Sequence, residues 1–134
     1  MLPVSFDHAV IHVTGGDTSD CFYADVLGAE IIPKGTGSVY RVGAPQLNVH
    51  GPGVQLQKAA CLPVQPGNAD LCFGWRGPLA EAQAHLAGCG VEVISGPVAR
   101  PGARGQGTGL YFRNPDGALL EFIHYAAEGE GQDG

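Results

Sequence analysis

The apolar residues of this chain fall in short runs separated by glycine and proline. The first is FDHAVIHV, residues 6–13. Val10, Ile11 and Val13 are β-branched, which costs rotamer freedom in a helix and suits a pleated surface. Gly15-Gly16 breaks the run, so it predicts a strand with His8, Val10 and His12 on one face. Further strand-like runs are YRVGAPQLNVH (40–50), NADLCFGW (68–75) and YFRNPDGALLE (111–121). Two stretches carry a helical pattern. Asp17, Thr18 and Ser19 offer N-cap oxygens before CFYADVLG, which Gly28 stops. Pro78 stands at the first helical position before LAEAQAHLAGCG, with Gly88 or Gly90 closing it.

The pattern repeats. LGAEII (27–32) resembles CGVEVI (89–94), and Glu30 and Glu92 lie 62 residues apart. The same offset carries His8 to Asp70. Tyr40 to Tyr111 and His50 to Glu121 are both offsets of 71. The nine extra residues fall between Ile94 and Tyr111, where SGPVARPGARGQGTG reads as a long Gly/Pro loop. Each unit is then strand, helix, strand, strand, strand. The expected fold is α+β, with βαβββ modules at 5–50 and 69–125, a linker at 51–68, and a disordered acidic, Gly-rich tail at 126–134.

The histidines raise a metal question. On a helix, the spacing of His8 and His12 would place both imidazoles over one ion. On a strand, four residues span about 13 Å, whereas each ligand must lie within about 2.0–2.2 Å of the ion. His8 therefore needs partners from other strands. The offsets pair His8 with Asp70 and His50 with Glu121, and a pseudo-twofold between the units would bring all four towards one ion. Glu121 sits in the apolar run ALLEFIHY, where a lone carboxylate is costly unless paired, exposed at an edge or bound to metal. His8 and His50 read either as ligands or as hydrogen-bonded structural histidines. Asp70 reads as a ligand or as a group that orients one. His12 is a candidate base or substrate contact, against a packed histidine. Tyr111 is a candidate site residue on a strand that lines the site or enters the core. Arg104, in the inserted loop, either meets an anionic substrate or is a solvated charge. His124, opposite Glu121 by alternation, and His85, on the second helix, are set aside.

Composition narrows the classes. The apolar fraction of 44% is ordinary for a globular domain. A net charge of −6 and only 7 scattered Lys and Arg residues argue against a nucleic-acid or anionic-membrane surface. Cys21, Cys61, Cys72 and Cys89 form no C-x-x-C pair, which argues against structural zinc. With no leader pattern and no long apolar run, the expected location is cytoplasmic with reduced thiols. GARGQGTG (102–109) lacks a Gly-Lys-Ser/Thr ending, so no nucleotide loop is expected.

The motifs FDHAVIHV, CFYADVLGAEI, LNVH, ADLCF and YFRNPDGALLEF cover nearly the whole chain. Together they resemble the vicinal oxygen chelate superfamily, which includes glyoxalase I, fosfomycin and bleomycin resistance proteins and extradiol dioxygenases. The likeness is greatest to its small glyoxalase-like or dioxygenase-related members. The resemblance implies paired βαβββ modules forming a curved, cup-shaped sheet around one divalent ion (Fe, Ni, Mn, Co or Zn). Its ligand positions, on the first and last strands of each module, are held here by His8, His50, Asp70 and Glu121. Glyoxalase I has a carboxylate where His50 stands, and a histidine or glutamate at the Asp70 position. Extradiol and fosfomycin enzymes take their second histidine from the Asp70 position. The implied function is a glyoxalase-type lyase or isomerase acting on a small substrate that chelates the ion through adjacent oxygens. The alternatives are an Fe(II) extradiol dioxygenase and a metal-free binding protein. The resemblance also implies a homodimer, at times with modules exchanged, which the linker at 51–68 is long enough to permit.

Overall fold

The computed structural model describes residues 2–54 and 59–126. The chain divides into two compact units, Met1–Ala69 and Asp70–Gly134. The first contains β1 (His8–His12), α1 (Gly16–Leu27), β2 (Glu30–Lys34), β3 (Gly37–Arg41) and β4 (Gln46–His50). The second contains β5 (Asp70–Gly74), α2 (Leu79–Gly88), β6 (Ser95–Gly102), β7 (Gly105–Arg113) and β8 (Leu119–His124). Each is the βαβββ module the repeat predicts. The expected disordered tail falls almost wholly outside the described residues. No helix among the described residues is long and apolar enough to cross a membrane.

Each unit builds a mixed four-stranded sheet, ordered β1-β4-β3-β2 in the first and β5-β8-β7-β6 in the second. The first and last strands of each unit run parallel, and the remaining pairs are antiparallel hairpins. Alternation decides which face is buried. Along β4, Leu47 and Val49 are buried while Gln46, Asn48 and His50 are only partly covered. The apolar side of the first unit holds Ile11, Tyr40, Leu47 and Val49, and Tyr23 and Val26 of α1 are likewise buried; that of the second holds Leu110, Phe112, Leu120 and Phe122, and Ala82 and Leu86 of α2 are likewise buried. Burying one such side chain contributes about 1.5–3 kcal/mol.

Local chemistry departs from expectation in two places. First, α1 begins at Gly16 behind Gly15, with no side-chain cap. Ser19 and Asp20 lie instead within the helix and face Tyr40 of β3. The Tyr40 hydroxyl donates to Asp20 Oδ1 at 2.6 Å and lies 2.8 Å from Ser19 Oγ. Burial, reinforced by Asp20, raises the Tyr40 pKa well above the usual phenol value. Gly28 ends the helix in the left-handed region (φ 65°), as its position predicted.

Second, the expected Gly/Pro loop is a hairpin. Residues 95–102 pair antiparallel with 105–113, with a register irregularity between Ser95 and Val98. Pro97 and Pro101 misled the reading, because proline argues against a strand only where its missing N–H would face a partner. Here β6 is the edge strand, where proline is tolerated. The NPDG turn, by contrast, has the compact form its sequence suggests. Asn114 Oδ1 accepts from the backbone N–H groups of Asp116 and Ala118, each at 3.0 Å.

Replacing Tyr40 with Phe removes the hydroxyl that joins β3 to α1 and leaves Asp20 and Ser19 without it. The expected cost is about 1–2 kcal/mol. It should be read as a lower urea midpoint at unchanged slope, and an unchanged midpoint would count against the α1–β3 network.

Candidate functional site

In the first unit, the parallel ladder sets His8 opposite Gln46, Val10 opposite Asn48, and His12 opposite His50. These six residues share the face turned away from Ile11, Leu47 and Val49. The rings of His12 and His50 are 5.1 Å apart, centroid to centroid, and tilted by 60°. His12 Nε2 and His50 Nδ1 are both buried without a hydrogen-bond partner. Burial, and then the neighbouring His50, lowers the His12 pKa. His8 lies at the far end of β1, more exposed, with Nδ1 2.7 Å from Asp7 Oδ2. A cleft of about 320 Å³ adjoins the His50 end, lined by Lys34, Thr36, Ser38 and Asn48 among others.

The corresponding face of the second unit carries Asp70, Cys72, Leu119, Glu121 and Tyr111. Glu121 stands between Cys72 of β5 and Tyr111 of β7. Its Oε2 is buried without a partner. It lies over Gly109, where any Cβ would collide with it. Crowding around its sulfur, followed by Glu121, pushes the Cys72 thiol up to about 12, although the residue as a whole is exposed. Asp70 is exposed at the start of β5. The Tyr111 hydroxyl accepts a 2.8 Å hydrogen bond from Arg100 Nε, and the Arg100 guanidinium lies 5.6 Å from the ring centroid. Arg104, at the tip of the β6–β7 hairpin, stacks on Tyr125 at 5.1 Å.

The ladders revise the repeat. Arg41 pairs with Gln46 and Arg113 with Leu119, so the offset between units is 72 before the hairpin turn (Arg41 to Arg113) and 73 after it (Gln46 to Leu119). The NPDG turn is one residue longer than its counterpart at 42–45. The ladder counterpart of Glu121 is therefore Asn48, and that of His50 is Ile123. Likewise Tyr40, buried in the core, corresponds to Phe112, and Tyr111 faces the other way, beside Glu121. The same pair of positions recurs in both units: His8 with Asn48, and Asp70 with Glu121, each two ladder steps apart on adjacent strands. His50 stands beside His12, so the span of strand that separates His8 from His12 also separates His8 from His50. Among the described residues, no three His, Cys, Asp or Glu side chains are gathered into a group that could hold a metal ion. His124, set aside in the sequence, is buried with Nδ1 3.1 Å from the Trp75 carbonyl, and His85 packs on the Trp75 ring.

Sequence reasoning missed Asn48, Arg100 and the contact between His12 and His50. The ladder register would have found the first and last. Arg100 was hidden because its strand was read as a loop.

No family profile matches the chain. It is 38% identical over 122 residues to the glyoxalase domain-containing protein RDO1 of Mycosarcoma maydis, covering 90% of this chain and 68% of that protein. It is 34% identical over 120 residues to the virulence protein STM3117 of Salmonella typhimurium, covering 89% and 83%. The crystal structure of STM3117 superposes with a TM-score of 0.85, covering 93% of this chain and 99% of that one. An integron cassette protein of V. cholerae superposes equally well, with a TM-score of 0.85 at 37% identity, covering 93% and 98%. Lactoylglutathione lyase of Agrobacterium tumefaciens (20% identity, TM-score 0.70) and a Mn(II) complex of the fosfomycin resistance protein FosX of Listeria monocytogenes (18%, 0.64) share the fold alone.

In metal-free protein, His12 should titrate below 6.5 by proton NMR. Replacing His50 with Ala should raise its midpoint only part of the way, because burial is the larger cause. Folded His12 then binds fewer protons than the unfolded chain. Its contribution to stability is full above pH 6.5 and declines as pH falls below that value. A His12 midpoint at or above 6.5 would contradict the buried pair.

Proposed function

This chain belongs to the vicinal oxygen chelate superfamily, and on that premise we propose that it is a divalent-metal-dependent enzyme of glyoxalase type. It acts as a lyase or isomerase on a small substrate that offers two adjacent oxygens. The observation that carries this reading is Glu121 Oε2, a carboxylate oxygen buried on a strand with no hydrogen-bond partner. The Cys72 thiol is the carboxylate's neighbour on β5, but a buried carboxylate oxygen left without a partner is costly, and a cation would relieve that cost. The donors on the two equivalent ladder positions fit such an ion: the imidazole of His8 and the carboxylates of Glu121 and Asp70, with the Asn48 amide at the fourth position. Nitrogen and oxygen donors of this kind suit Fe, Ni, Mn, Co or Zn. Asp7, 2.7 Å from His8 Nδ1, would serve as the outer partner that leaves the other ring nitrogen for a metal. His50, expected among the ligands, takes another task here, because its ladder partner is His12.

The ion, when bound, supplies Lewis acidity towards the substrate's two oxygens, where negative charge develops. The protein supplies the proton chemistry. His12 is neutral at neutral pH, and its Nε2 is free to take a proton from the carbon beside those oxygens. His50, in contact with His12, holds that ring in place. The Tyr111 hydroxyl has its oxygen engaged by Arg100 and keeps its own proton for a substrate oxygen. We take the assembly to be a homodimer, with each ion's donors drawn from one chain or from two.

Elemental analysis of protein purified without added metal tests this reading. The expected content is one transition-metal ion per chain. His8→Ala and Glu121→Ala should each lower metal affinity at least tenfold, and His12→Ala should keep the ion and lose about 10²–10⁴ in turnover. Full metal retention in Glu121→Ala would refute the assignment. Oxygen uptake with catechols would move it to the dioxygenase reading.

A further inference from the structure

On the Glu121 face of the second unit, Gly107, Gly109 and Tyr111 alternate along β7, the two glycines buried and Tyr111 partly covered. Across from them on β6 stand Arg100, opposite Gly107, and Val98, opposite Gly109. Across on β8 stand Ile123, opposite Gly109, and Glu121, opposite Tyr111. The two glycines give this stretch no side chains of its own. Glu121 leans over Gly109, Ile123 crowds the space above Gly107, and Cβ atoms at either glycine would strike them. Arg100 reaches over the same surface to the Tyr111 hydroxyl. Its Nε is engaged there, and among the described residues neither Nη atom has a partner. That leaves an exposed guanidinium edge with two parallel N–H donors, directed by the Tyr111 hydrogen bond and two strands away from Glu121, across β7. Two parallel donors match the two oxygens of a carboxylate. The nearby cations are otherwise occupied: Arg104 stacks on Tyr125, and Arg113 Nη1 donates to the Gly117 carbonyl at 3.0 Å.

We propose that Arg100, steadied by Tyr111, is the anchor for a carboxylate that the substrate carries in addition to the two adjacent oxygens it offers the ion, so that the substrate is a small organic acid rather than a neutral carbonyl compound. This rests on reading the Glu121 face as the substrate face. It moves to Arg100 the anion contact expected of Arg104. The positioning part belongs to Tyr111, whose hydroxyl fixes which way the guanidinium points.

The test uses the full chain stripped of metal, so that the anchor is measured apart from the ion. Pyruvate and its neutral analogue pyruvamide are titrated while the amides of Gly107 and Gly109 and the Arg100 Nε–H are followed by NMR. Pyruvate should shift these resonances saturably, and pyruvamide should bind at least tenfold more weakly. Arg100→Gln should lower pyruvate affinity at least tenfold, with the rest of the spectrum unchanged because Arg100 is exposed. Arg100→Lys, which keeps the charge and loses the fork, should fall between. Tyr111→Phe should weaken binding severalfold, and Arg104→Gln should leave it within twofold. Equal binding of the two probes, an Arg100→Gln affinity equal to wild type, or no saturable shift would overturn the proposal. Any of these would leave the metal reading standing, because that reading is judged by ion retention. Loss of ion retention would in turn leave the anchor standing.

Discussion

The parallel pairing of first and last strand in each unit is the constraint on which everything else depends. In a parallel ladder, paired residues face the same side of the sheet, so one choice of parity sets the whole face. Burial of Leu47 and Val49 in the first unit, and of Leu120 and Phe122 in the second, makes that choice. A slip of one residue would turn His50 inward and Val49 outward, at a cost of several buried apolar side chains. With the register fixed, His8, His12, Asn48 and His50 have no alternative but to share one face, and Asp70, Cys72, Tyr111 and Glu121 another. The chemistry of this protein is thus a by-product of its core packing, because the residues that hold the sheet in register are the ones that face away from the site.

That division explains what could be read without a structure. Both helices, the eight strands apart from the full extent of the β6–β7 hairpin, and the twofold repeat follow from short-range signals: β-branched runs, glycine stops and the NPDG turn. The face on which each candidate sits follows from alternation alone. What alternation cannot give is the partner across the ladder. The constant offset of 71 assumed equal hairpin turns, whereas the second is longer by one residue and the strands before it already differ by one. The error is small in sequence and large in chemistry, since it exchanges Asn48 for His50 as the counterpart of Glu121 and places Tyr40 in the core while Tyr111 stays at the site. The edge-strand prolines did the same to β6. They hid a strand, and with it the one arginine that the Tyr111 hydroxyl holds.

The resulting site divides its labour by position along the ladder. Donors suited to a cation occupy the start of the first strand and the middle of the last. His12 and His50 stand together at the far end of the first unit's ladder, where burial, followed by His50, lowers the His12 pKa. The Arg100 guanidinium, held by Tyr111, lies two strands beyond the Glu121 carboxylate in the second unit. In the proposed reading, metal, proton and substrate charge would each be met by a different kind of group. None of the three tasks requires a side chain from the apolar face, which leaves the core free to vary in sequence while the register is kept.

Anomalous diffraction from crystals grown with Ni(II) or Mn(II), recorded at the metal edge, tests the ladder assignment most directly. The account predicts one peak per chain within about 2.0–2.2 Å of a His8 nitrogen and a Glu121 oxygen, with His50 beside His12 and outside the ligand set. A peak held by His12 and His50 alone, or none at Glu121, would contradict it.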